Sequence, residues 1–143
     1  MSTSAGSNDS DAPQQPAGRL RILQVSGSAA GGVRTHLADC ARILAADGHD
    51  VIVEAPAAVL DGLDLAPARA EALEIGARPS LGDSRVVARL RRLGRRAHTV
   101  HAHGLRAGAL AALALGRRRR GRTRLVVTLH NLTVGGRLTT LVG

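Results

Sequence analysis

The amino-acid sequence predicts a doubly wound α/β domain built on a parallel sheet. Three observations carry this. Strand-length apolar segments alternate with stretches whose apolar residues recur at helical spacing. A glycine-rich loop joins the first predicted strand to the first predicted helix, in a βαβ order that winds right-handed over a parallel sheet. The 143 residues, 44% of them hydrophobic, are enough for one packed core.

Residues 1–18 are rich in Ser, Ala, Gly, Asp, Pro and Gln and have little to bury, so they predict a disordered tail before an ordered domain over 19–143. Arg19–Ser26 (RLRILQVS) reads as a strand buried largely on both faces through Leu20, Ile22, Leu23 and Val25. After the loop Gly27–Gly32, Val33–Ala46 forms a helix with the stripe Val33, Leu37, Cys40, Ala41 and Leu44, stopped by Gly48. Asp50–Ala55 (DVIVEA) is the second strand. Pro56–Gly82 is ambiguous, with a composition that suggests loops, a short helix and a brief strand over Ala72–Ile75. Asp83 or Ser84 is placed to cap a helix over Arg85–Ala97, whose stripe is Val86, Leu90, Leu93 and Ala97. Thr99–His103 is a strand and Leu105–Leu115 a small-residue helix able to pack closely on the sheet. The Arg117–Arg124 run is a solvated connection, and Leu125–Leu129 is another buried strand. From about Arg137 the pattern restarts and reads as a helix cut off after its first turn, so the domain is expected to be incomplete at its C-terminus. Together these elements make a Rossmann-like arrangement.

Composition removes several functions. The chain has no Phe, Trp or Tyr, and all 20 of its basic residues are Arg. Without aromatic rings it offers no stacking platform for single-stranded nucleic acid, and no aromatic face for a sugar ring. The net charge of +9 is localised: Met1–Ser84 holds 6 Arg against all 11 acidic residues, whereas Arg85–Arg124 holds 13 Arg and no acid. This is a basic segment on a slightly acidic domain, most simply a solvated face. Arg85, Arg89, Arg92 and Arg96 on one helix could also meet anionic lipid, with nucleic acid the less favoured partner. Cys40 is alone, which excludes an intramolecular disulfide and makes it most simply a small core residue. The N-terminus lacks a signal-peptide pattern, and the longest apolar run falls far short of the ~20 residues that span a bilayer. A cytoplasmic protein is expected, with peripheral contact to the inner membrane face open to it.

Three groups of residues could carry chemistry. The loop Gly27–Gly32 lies where a strand ends and a helix begins, and there backbone N–H groups and the helix dipole favour an anion. Gly31 and Gly32 remove side chains from the approach to that main chain. Position 29 is Ala, so the loop is not the G-x-G-x-x-G dinucleotide fingerprint, and it has no Walker A ending. A tight turn without a ligand is the plain alternative. His101 and His103 share one strand face and could begin a metal site, but two ligands do not complete one; imidazoles hydrogen-bonded along a cleft rim are the simpler reading. His130 follows the last strand at the sheet edge where α/β proteins bind ligands. There a neutral imidazole can bond a sugar hydroxyl or a phosphate, or simply serve a loop.

Taken in order, RILQVSGSAAGGVRTHLADCARILAADGHDVIV, TVHAHGLRAGALAALAL and LVVTLHN resemble the beginning of the family 4 glycosyltransferases of GT-B fold, over roughly Arg19–Asn131. Its pattern is a strand, a Gly-Gly-Val loop, an amphipathic helix ending Gly-His-x-Val, a strand ending His-x-His-Gly, and a strand ending Thr-x-His-Asn. The resemblance implies retaining transfer of a sugar from a nucleotide-diphospho sugar to a sugar or lipid-linked acceptor, without a metal or other cofactor. It implies that Gly31 and Gly32 contact the donor diphosphate or the acceptor. His130, by the same resemblance the catalytic residue, sits near the transferred sugar; His103, Gly104 and Asn131 line the cleft. The family's C-terminal domain, with its nucleotide site and E-x7-E pair, has no counterpart in the sequence, so the chain alone is expected to be inactive. Two other classes stay open: a basic module docking on membrane or nucleic acid through Arg85–Arg124, and a metal hydrolase around His101 and His103.

Overall fold

The computed structural model describes residues 18–116, 123–130 and 141–142, the last two by their backbone. Among these residues six strands form one sheet in the order β3-β2-β1-β4-β5-β6. The strands are β1 (Arg21–Ser26), β2 (Asp50–Ala55), β3 (Arg69–Ala72), β4 (Thr99–His103), β5 (Arg124–Thr128) and β6 (Leu141–Val142). β1 to β5 all run parallel. The helices are α1 (Gly32–Ala46), α2 (Ala57–Leu60), α3 (Asp83–Gly94) and α4 (Leu105–Leu115). The α/β Rossmann-like prediction holds.

Each strand sends alternate residues to opposite faces, and two cores result. On one face Ile22, Val51, Val53 and Ala55 pack under Leu37, Ala38 and Ala41 of α1 and Val59 of α2. On the other, Leu23, Val25, Val100, Ala102 and Leu125 meet Val86 and Leu90 of α3 and Ala107, Leu110, Ala111 and Ala114 of α4. Both faces of the central sheet therefore carry apolar residues, which is why the sequence shows runs rather than alternation. The small residues of α4 are required by contact: a Cβ on Gly108 would lie 2.7 Å from Cγ1 of Val127 on β5. At the end of α1, the Gly48 N–H bonds the Ala45 carbonyl and the His49 N–H bonds the Leu44 carbonyl, the paired bonds of a Schellman turn.

Four expectations are corrected. β1 starts at Arg21 rather than Arg19, and Leu20 is exposed at the edge of the core. The third strand is Arg69–Ala72, not Ala72–Ile75; as an edge strand its side chains are all exposed, so it carries no apolar pattern to find. α3 begins at Asp83 and has no side-chain cap, because the Asp83 carboxylate is turned to Arg106 and the Ser80 N–H. The restart expected as a helix near Arg137 falls partly outside the described residues, and its described part, Leu141–Val142, pairs antiparallel with β5. The tail 1–17 and the arginines 117–120 and 122 lie outside the described residues.

Candidate functional site

β1 leads through α1 to β2 on one side of the sheet centre, and β4 leads through α4 to β5 on the other. Between the carboxyl ends of β1 and β4 the connections diverge, and that is where a doubly wound sheet leaves a crevice. A cleft of about 280 Å³ opens there, lined by Ser28, Val33, His103, Gly104, Leu129 and His130 among others.

The glycine loop forms one wall. Gly31 has φ 55° and ψ −127°, a conformation that L side chains adopt only under strain, and so turns the chain from loop into helix. No side chain caps α1, and the first-turn N–H groups of a helix have no partner within it. A Cβ on Gly32 would meet nothing within 4 Å. The missing side chain therefore serves no internal packing and leaves open space over polar main chain. Gly104 (φ 90°) makes the opposite turn, from β4 into α4, and its N–H is held by the Thr128 carbonyl at 2.8 Å.

Histidines form the other wall. His101 and His103 do share a face, with ring centroids 4.1 Å apart. His101 Nε2 lies 2.8 Å from Thr128 Oγ1. His103 is only 2% exposed, and its Nε2 lies 2.6 Å from Oε1 of the fully buried Gln24 on β1. A carbonyl oxygen only accepts, so His103 carries its hydrogen on Nε2 and turns a bare lone pair at Nδ1 toward the cleft. That Nδ1 is 3.4 Å from His130 Nε2. His36, one turn into α1, completes the group, its ring centroid 5.6 Å from that of His103 and 5.2 Å from that of His130.

Burial, then the neighbouring imidazoles, pushes His103 down to about 3 and His101 down to about 4. His130 is lowered too, by burial and by His36. These three rings are neutral at physiological pH and can both donate and accept. The arrangement is an uncharged, polar wall facing an uncapped helix N-terminus.

The sequence-derived residues thus divide. His103, Gly104 and His130 line one crevice, Gly31 and Gly32 lie between its lining residues Ser28 and Val33 without lining it themselves, and Asn131 lies outside the described residues. The pairing of His101 with His103 as the start of a metal site is replaced: the three imidazoles whose ligand atoms converge are His36, His103 and His130. His36 was not anticipated. Its signal was its place four residues after Gly32, on the same side of the first helical turn. Gln24 was also missed, although a polar side chain inside an otherwise apolar strand invites a partner. Cys40 is half-buried rather than a core residue, with Sγ 3.5 Å from His36 Nε2, and burial followed by Asp39 pushes its thiol up.

Arg89 is withdrawn from the lipid-facing surface. Its Nε and Nη2 each donate to the fully buried Glu54 at 2.9 Å, and Nη2 also bonds Glu71. Arg85 and Arg92 remain exposed on α3, and Arg96 is exposed in the turn that follows it, because the helix ends at Gly94 rather than at Ala97. Among the described residues no helix is long and apolar enough to cross a membrane.

No curated protein gives a significant match to the chain. The family model of the glycosyl transferase 4-like domain, however, matches residues 31–142, from the turn glycine of the cleft through the last strand. By that match, which covers most of its length and both walls of the crevice, the chain belongs to the glycosyl transferase 4-like family.

Proposed function

We propose that the chain is the acceptor-side half of a retaining glycosyltransferase that moves a sugar from a nucleotide-diphospho donor to a sugar or lipid-linked acceptor. One observation carries the reading: an uncapped helix N-terminus without side chains at Gly31 and Gly32 is flanked by Ser28 and Val33, which line an open cleft together with neutral His103 and His130. Breaking the bond between an anomeric carbon and a diphosphate places charge on the leaving oxygen. Positioned main-chain N–H donors stabilise that charge without reorganising. Gly31 and Gly32 supply donors of this kind, and no metal or other cofactor is assigned to the step. His130, neutral and at the cleft, is the catalytic residue of the proposal, bonding the transferred sugar. His103, held by Gln24, and Gly104 shape the floor.

The partners are the nucleotide sugar and the acceptor, and nucleic acid is not among them. Arg85 and Arg92 of α3, with Arg96 just after it, belong to the helix layer on the opposite sheet face from α1, and form the basic surface that would rest on an anionic inner membrane surface from the cytoplasmic side. The nucleotide itself is expected on a second α/β domain carrying an E-x7-E pair.

The downstream reading frame and a transfer assay test this. A following domain with paired glutamates, sugar transfer by the joined protein, and loss of that transfer in Gly32→Val would support the proposal. Transfer catalysed by the 143-residue chain alone would overturn the assigned division of labour. Unchanged turnover in Gly32→Val would remove the loop from the mechanism.

A further inference from the structure

We infer that His36, His103 and His130 form a binding site for a borderline divalent transition-metal ion such as Zn²⁺, with Gln24 as the residue that positions His103. Three separate elements deliver the ligands: α1, the end of β4 and the segment after β5. Their ligand atoms all lie within 4.8 Å of one another. The His103 Nδ1 to His130 Nε2 separation is 3.4 Å. Two nitrogens bound to one tetrahedral zinc at about 2.0–2.1 Å lie about 3.3–3.4 Å apart, the same spacing. As a hydrogen bond between the rings that distance is long, so the group is closer to a ligand set than to a tightly bonded network.

The tautomer supports the same conclusion. A metal-binding histidine characteristically donates its second ring hydrogen to an oxygen that fixes its orientation. Gln24 Oε1 does this for His103 at 2.6 Å, from a side chain that is fully buried and cannot swing away. The lone pair at Nδ1 is thereby aimed at the other two rings. An all-imidazole group selects borderline cations over Mg²⁺ and Ca²⁺, which prefer oxygen. His36 is exposed and gives an entry path, and the adjoining cleft leaves a fourth position for water or an anion. The ion would occupy the His103 and His130 nitrogens that the transfer reading gives to the sugar, so it is a competing ligand of this crevice and not a cofactor of the transfer, and binding of metal alone decides the matter whichever way the transferase reading falls.

The test is titration of the purified chain with CoCl₂ and with ZnCl₂, following visible cobalt bands and the heat of binding. One equivalent should bind with the absorption of four-coordinate cobalt, while MgCl₂ gives no signal. His36→Ala and His130→Ala should each weaken binding about tenfold or more, with circular dichroism unchanged; His36 is exposed, so that variant keeps its core. Cys40→Ser should leave affinity as it was. The inference fails if no cobalt spectrum develops, or if His130→Ala binds as tightly as the parent. It fails equally if Cys40→Ser abolishes binding, because the ion would then sit on the His36–Cys40 pair of α1.

Discussion

Two polar clusters occupy the carboxyl halves of the parallel strands, and they are built in opposite ways. On the α3 face, Glu54 is sealed from solvent and receives two hydrogen bonds from Arg89, which also reaches Glu71. On the α1 face, Gln24, His101, His103, Thr128 and His130 gather around a cleft. In the first cluster charge is matched by charge and the space is filled. In the second the rings are neutral, the bond between His103 and His130 is long, Gln24 Nε2 has no partner among the described residues, and solvent space adjoins. The first arrangement holds the fold together. The second leaves hydrogen-bonding capacity for a ligand.

The contrast can be broken from its strongest point downward. Arg89→Ala strands a buried carboxylate and should destabilise the chain by about 3–5 kcal/mol. Urea unfolding of the variant checks this, and a loss below about 1 kcal/mol would make the network ornamental.

Acidification should act on the other cluster. His101 and His103 have folded pKa values of about 4 and about 3, well below an ordinary histidine. Below pH ~6.5 the unfolded chain therefore takes up protons that the folded chain refuses. Stability is fully present above that pH and is lost as pH falls toward the folded values. Between pH 7 and pH 5 the loss should be about 2–4 kcal/mol for the pair. Denaturant midpoints measured at the two pH values test it, and a His101→Asn variant should show a shallower slope.

The glycine loop gives the two smallest effects and separates strain from function. Gly31→Ala must hold an L side chain at φ 55° and should cost about 1–3 kcal/mol. Gly32→Val meets only open space, so its stability should stay within about 0.5 kcal/mol of the parent. If Gly32→Val unfolds the chain, the glycine is structural and the vacancy beside it was misread.

Much of the fold was legible because burial leaves a local trace. The strands Asp50–Ala55 and Thr99–His103 and the helix Leu105–Leu115 appear at their predicted bounds, since each carries its own periodicity or apolar run. β3 was displaced because an exposed edge strand leaves no such trace. Half of the site was legible for a similar reason: glycines at a strand-to-helix turn and histidines at strand ends mark the sheet edge where ligands bind. His36 and Gln24 were not, because their significance depends on partners 67 and 79 residues away in sequence.

The sequence by itself determined the order of strands and helices, the parallel winding, and the position of the glycine loop, because side-chain burial and turn chemistry act over a few residues. Only the tertiary structure decided which polar groups meet. It took Arg89 out of a basic helix face and closed it on Glu54, and it brought His36 of α1 to His103 and His130. The physical reason is that such pairings depend on the rotation of each helix over the sheet and on the strand order, neither of which is written in any single segment.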